Sequence, residues 1–185
     1  LLLKELFKMK LESFLANKKE GKKMKKIIVT IILSLITTVS FADGHTSGKF
    51  NASGMGAWKV NVMNAGKGDM SVTYDGIAGL ADENPDSIFH KSTMHCIGGL
   101  TLQAGKFKDE TGMCRFDLFD GESVYMKYEG EGTGGVGGTG TFEIVKGTGK
   151  YENITGSGFS SRQNLKSKAP GFSTSMNQMS GEYKY

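Results

Sequence analysis

The sequence predicts an all-β chain, an antiparallel barrel or sandwich, on three observations. Short runs rich in β-favouring residues recur along it, separated by Gly, Asn, Asp and Pro. Within these runs apolar and polar residues alternate, the period of a strand with one buried face. A glycine-dense stretch over residues 130–158 encloses a short apolar run, 141–145, between two hinges. That spacing suits sharp corners, because glycine reaches positive φ without steric cost.

The chain does not open on methionine, and residues 1–23 are Lys-rich with leucines and phenylalanines at helical spacing. We read them as an upstream over-extension; a real amphipathic extension or an uncleaved membrane anchor is the alternative. Met24 begins a second pattern. Lys25 and Lys26 form a basic region, residues 27–39 an apolar run, and Ser40-Phe41-Ala42 a small-residue cleavage site. Residues 24–42 therefore read as a signal peptide, too short to span a bilayer comfortably. The expected product is exported, periplasmic or secreted, with no stable membrane span after processing. Its lead-in, residues 43–54, is expected to be flexible, and residues 55–185 to form one domain.

Beyond Ala42 there remain fourteen basic and sixteen acidic residues, a net charge of −2. The basic character of the whole chain belongs to the leader, so no nucleic-acid footprint is expected. The two cysteines, Cys96 and Cys114, form an even pair in an exported chain. A hairpin folded at Ala104-Gly105 brings them opposite each other, to within about one residue of register, and a disulfide is expected. A metal or redox pair is the alternative, but no C-x-x-C and no Cys/His set at zinc spacing supports it.

Candidate strands cover residues 55–63, 69–77, 87–97, 99–107, 113–119, 123–130, 139–146, 156–163 and 172–183. Turn signals lie at 64–68, 82–85, 120–121 and 168–171; Asp120-Gly121 reads as a two-residue hairpin. Only residues 78–84 and 151–154 suit a helical turn. Trp58, Val60 and Val62 share a face, as do Met70, Val72 and Tyr74. Cys114, Phe116 and Leu118 oppose Arg115 and Asp117; Val124, Met126 and Tyr128 oppose Lys127 and Glu129. Apolar-in, polar-out alternation is what a closed soluble barrel needs. An outer-membrane barrel inverts it.

The stretch G-G-T-G-T-F-E-I-V-K-G-T-G-K-Y-E-N-I-T-G-S-G resembles the G-T-x-x-F-x-x-G-T-G-x-Y-x-x-I-x-G-x-G signature of allene-oxide-cyclase-like and dirigent-like β-barrels. It also resembles a group of exported bacterial proteins in which a Cys, a G-x-C and a D-G hairpin precede that signature. Here these are Cys96, Gly112-Met113-Cys114 and Asp120-Gly121. The resemblance covers residues 96–158 and implies a single antiparallel β-barrel of about eight strands with a lined cavity. No catalytic residue of the cyclases has a counterpart here.

Catalytic and cofactor motifs are sparse. Gly132-Thr133-Gly134-Gly135-Val136-Gly137 matches G-x-G-x-x-G, but a strand follows where dinucleotide binding needs a helix. Gly149-Lys150 lacks the first glycine of a P-loop, where Ile144 stands, and Tyr151 replaces its Ser/Thr. No G-x-S-x-G elbow is present. His90 and His95 are expected on opposite faces of one strand, unable to share a metal. Asp117, Asp120 and Glu122 crowd one hairpin end without a full oxygen cage for calcium. Asn51-Ala52-Ser53 and Asn153-Ile154-Thr155 are glycosylation sequons that matter only in a eukaryotic secretory route. The methionines do not cluster as M-x-x-M and read as core filling.

No cofactor is expected. Processing after Ala42 exposes Asp43-Gly44-His45, whose amine, two amides and imidazole form a candidate site for Cu(II) or Ni(II). Trp58, Tyr74, Met126 and Tyr128 are the candidate lining of a site for a small apolar ligand. Three functions stay compatible with the residues: a ligand-binding or structural barrel, a cyclase- or isomerase-type enzyme, and an interaction module for another exported protein. No catalytic constellation argues for the enzyme.

Overall fold

The computed structural model describes residues 46–185. The segments 1–23 and 24–42 and the tripeptide Asp43-Gly44-His45 lie outside the described residues. Eight strands follow one another around a closed antiparallel barrel: β1 (Ser47–Gly66), β2 (Asp69–Asp82), β3 (Ser92–Leu102), β4 (Lys106–Asp117), β5 (Ser123–Thr133), β6 (Gly137–Gly147), β7 (Thr155–Leu165) and β8 (Phe172–Lys184). Each strand pairs with its neighbours in sequence, and β8 returns to β1. Closure leaves no edge strand exposed.

Alternation places the core. Along β1, Phe50, Ala52 and Trp58 are buried while Lys49, Ser53 and Lys59 are exposed. Tyr74, Cys96, Cys114, Phe116, Val124 and Met126 point inward in the same way, as their period predicts. Four details differ from the sequence reading. Residues 47–54, expected as flexible lead-in, belong to β1 and pair with β8, because Phe50 and Ala52 have a core to fill. The run 99–107 is no strand of its own; it straddles the turn between β3 and β4. Residues 78–82 continue β2, and among the described residues the one short helix is the 3-10 turn Gly149–Tyr151. The Asp120-Gly121 hairpin is longer than two residues, with Leu118 N–H bonded to Glu122 O at 2.9 Å.

The signature glycines serve packing more than bending. Gly137 and Gly149 do sit at positive φ. A Cβ at Gly158, however, would strike the Phe142 ring and the backbone of β8. Gly158 is glycine because the inward Phe142 ring lies across from it on β6.

The barrel has two unlike ends. At one end lie the hairpins β1–β2, β3–β4, β5–β6 and β7–β8. At the other, the connections 83–91, 118–122 and 148–154 fold across the opening. Phe89, from the first of these, is fully buried, with its ring centroid 4.4 Å from Phe50, 5.3 Å from Phe116 and 5.8 Å from Tyr183. Tyr151 and Tyr185 pack edge to face at 4.6 Å beside them.

Candidate functional site

The site begins with an irregularity in β4. Across the β3–β4 turn Gln103 pairs with Lys106, and Ala104 and Gly105 both take positive φ, 50° and 81°. Continued in that register, Cys96 would face Met113. Phe107, however, stands opposite Gly132 and Glu110 opposite Gly130, so β4 carries one residue more than its partner. This bulge at Lys108-Asp109 has two effects. It brings Cys114 directly opposite Cys96, with their Cα atoms 4.0 Å apart, and the two are joined in a buried disulfide. It also turns both Phe107 and Glu110 inward, although they stand an odd number of positions apart, with Lys108 and Asp109 between them. Asp109 Oδ1 accepts the Thr101 N–H at 2.9 Å, a bond that holds the Asp109 carboxyl below its ordinary pKa.

Glu110 enters the barrel and is almost fully buried. Arg162, from β7, grips it with both terminal nitrogens, 2.6 Å to Oε1 and 3.2 Å to Oε2. Tyr74 donates its hydroxyl to Glu110 Oε1 at 2.6 Å. The hydroxyls of Tyr74 and Tyr128 lie 2.6 Å apart. A carboxylate only accepts, so Tyr74 must give its proton to Glu110, and Tyr128 then donates to Tyr74. Gly98 and Gly112 face each other across β3 and β4, and a Cβ at either would collide with the Tyr128 hydroxyl. Their lack of side chains is what lets the phenol reach.

Burial raises the pKa of Tyr128 to about 12, and burial followed by the Glu110 charge raises that of Tyr74 further. Both are neutral hydrogen-bonding groups at any ordinary pH. Burial works against the charge of Arg162, but Glu110 outweighs it and holds the guanidinium above its ordinary pKa.

A second chain runs alongside. Trp58 Nε1 donates to Ser175 Oγ at 2.8 Å, and Ser175 Oγ donates to Asn177 Oδ1 at 3.1 Å. This fixes the Asn177 amide with its NH2 turned away from Ser175 Oγ. Asn177 stands directly opposite Arg162 across β7 and β8, and both face inward.

Two hollows share Trp58, Tyr74 and Arg162. At the hairpin end an apolar cup of about 240 Å³ is walled by Val60, Val72, Leu100 and Leu102. Deeper in, a cavity of about 70 Å³ is bounded by the disulfide, Met126, Tyr128, Glu110 and Asn177. Trp58, Tyr74, Met126 and Tyr128, the four lining candidates read from the sequence, thus all border the inner cavity.

The other sequence candidates are dispersed. His90 lies in the 83–91 connection and not in a strand; its Nδ1 is 2.9 Å from Asp82 O. His95 faces outward and pairs with Asp75 at 2.7 Å. Asp117 pairs with Arg115 and Asp120 with Lys150, both at 2.9 Å, while Glu122 accepts from Thr148 at 2.5 Å. These three acidic residues therefore tie hairpins and corners together. Among the described residues no group of three or more His, Cys, Asp or Glu is placed to hold a metal.

Glu110, Arg162, Ser175 and Asn177 carry no motif. The one available signal was Arg162 itself, one of two arginines in a lysine-rich chain. Its strand pointed the wrong way: Phe159 suggests that the odd positions of β7 face inward, whereas Phe159 is 70% exposed and the even positions line the barrel.

No protein-family model and no curated protein matches this chain. Among solved structures, a pterocarpan synthase dirigent protein matches over 75% of this chain and 86% of its own, at 11% identity and a TM-score of 0.47. The barrel described here rests on its own strand pairing and not on that likeness.

Proposed function

We propose that this barrel binds a small, mostly apolar molecule through its hairpin end. The observation that carries the reading is the apolar cup, about 240 Å³, set over a floor of polar groups on Tyr74, Arg162 and Trp58. An apolar wall with a few convergent polar groups is the usual make-up of a ligand pocket. The buried disulfide fits an oxidising compartment, in keeping with an exported protein.

Trp58 is the only tryptophan and borders both hollows. Its fluorescence therefore reports on the site. Titration with uncharged N-phenyl-1-naphthylamine should quench Trp58 by energy transfer and brighten the probe. Leu100→Glu, in the cup wall, should abolish both signals. Ile97→Glu, on the outer face of the same strand, should leave them intact. Equal behaviour of the two variants would remove the cup as the site.

An isomerase-type activity has one observation on its side, a carboxylate bordering the inner cavity. Both oxygens of Glu110 are already engaged by Arg162 and Tyr74, however, a pairing that holds the carboxylate in the wall instead of presenting it to a ligand.

A further inference from the structure

The floor of the cup also bears on what kind of molecule the barrel takes, an inference that rests on the binding reading above. Arg162 is a cation facing a pocket, which on its own would favour a carboxylate or phosphate. It is not on its own. Glu110 takes both terminal nitrogens in a bidentate pair and sits almost wholly buried, so the two charges cancel at the floor. An incoming anion would meet no net positive charge. It would also have to shed its hydration beside the Glu110 carboxylate.

What remains on offer is hydrogen bonding, and its direction can be worked out. Arg162 has five N–H donors, more than its two bonds to Glu110 use. Trp58 donates to Ser175, and Ser175 donates to Asn177 Oδ1, so the Asn177 NH2, which has two hydrogens, keeps at least one for another acceptor. Its contact with Ser175 O is long, 3.5 Å. Arg162 and Asn177 are cross-strand partners on β7 and β8 and both border the inner cavity. Directly opposed residues of one sheet face hold their side chains about 5 Å apart at the base. Two neighbouring donors on one wall suit one oxygen with two lone pairs.

We propose that the ligand is an uncharged apolar molecule bearing a carbonyl oxygen, received between Arg162 and Asn177, and that Glu110 sets this preference by neutralising Arg162. The apolar body then occupies the cup, against Val60, Val72 and Leu100, while the oxygen reaches the donors below.

Three probes of one shape separate the possibilities: 2-acetylnaphthalene, with a carbonyl; 2-isopropenylnaphthalene, with CH2 in place of that oxygen; and 2-naphthoate, with a carboxylate. Each is titrated into the disulfide-bonded protein by calorimetry. The ketone should bind about tenfold or more tightly than either the alkene or the carboxylate. Glu110→Gln, nearly the same shape, uncovers the Arg162 charge and should turn the order round, with naphthoate about tenfold ahead of the ketone. Should that variant not fold, Glu110→Gln/Arg162→Gln removes both charges of the pair together. With the guanidinium gone, ketone and alkene should then bind within about threefold of each other.

Naphthoate equal to or better than the ketone in the unaltered protein would overturn the inference while leaving apolar binding in place. Ketone and alkene binding alike would do the same. Binding of none of the three would overturn the binding reading too.

Discussion

The two ends of this barrel are built from the same eight strands and finished in opposite ways. At the closed end the long connections fold inward and bury rings. Phe89 drops from the 83–91 segment into contact with Phe50, Phe116 and Tyr183, and Tyr151 hydrogen-bonds Asp120 at 2.9 Å beneath a lysine. At the hairpin end three tight turns and the six-residue connection 166–171 carry nothing inward. Val62 is 56% exposed there, and the apolar wall surrounds a cup. What the connections carry decides the difference, and length alone does not. The six residues 166–171 at the hairpin end are all exposed, whereas 83–91, 118–122 and 148–154 deliver Phe89, Leu118, Tyr151 and Ile154 to the core. One end therefore carries stability and the other is left to carry a site, a division common where loops hold function on a rigid scaffold.

Truncating a large side chain at each end should affect the two ends very differently. Phe89→Ala should cost about 3–5 kcal/mol, because a closely packed ring is lost with little room for collapse. Val62→Ala, at the rim of the cup, should cost under about 1 kcal/mol. Thermal or urea unfolding followed by circular dichroism compares them, and similar losses would mean that the hairpin end is as tightly built as the other.

The disulfide joins β3 and β4 between the two ends and should show no such bias. It closes a loop with a sequence separation of 18 residues, which the chain-entropy model values at about 3 kcal/mol. Cys96→Ser/Cys114→Ser should lose about that much in equilibrium unfolding. A far smaller loss would place the work of holding β3 to β4 with the ladder and the bulge.

Gly112→Ala tests the floor of the site. Its methyl group would fall on the Tyr128 hydroxyl and on Ile97 O, and overpacking of this kind costs about 1–3 kcal/mol. The more telling readout is ultraviolet titration of the tyrosines. A displaced Tyr128 should lose its raised pKa of about 12 and ionise nearer the ordinary range.

The smallest expected effect belongs to Asp120 at the closed end. Burial pushes its carboxyl up, but hydrogen bonds from Lys150, the Glu122 N–H and Tyr151 outweigh burial and hold it below its ordinary pKa. Folding therefore lowers this pKa. The stabilisation is present above about pH 4, where the unfolded carboxyl is already ionised, and is lost as pH falls through the folded-state value. Asp120→Asn should flatten the acid limb of a stability-against-pH curve below about pH 4. An unchanged acid limb would mean that the Lys150 and Tyr151 bonds add nothing at this corner.

The strands and much of the lining follow from local residue pattern. Apolar alternation is a local property, so Trp58, Tyr74, Met126 and Tyr128 could be placed on inward faces, and the two cysteines could be paired to within a residue. The glycine signature was legible as architecture for the same reason. Where two strands meet, and with what offset, is a property of the closed barrel and of no single segment. Barrel closure drew residues 47–54 out of an expected lead-in and into β1, because β8 supplies their partner. One extra residue in β4 completed the cysteine register and swung Glu110 inward, and a bulge of that kind has no period to read. In β7 the even positions face the barrel although Phe159 stands on the other parity. Gly156 and Gly158 lie where Ile144 and Phe142 reach across from β6, and nothing within β7 itself reveals that demand. Arg162 shares their face and so meets Glu110, fifty-two residues away in sequence. Side-chain period is written locally, but register is set between strands, and the candidate site is made of residues that only register brings together.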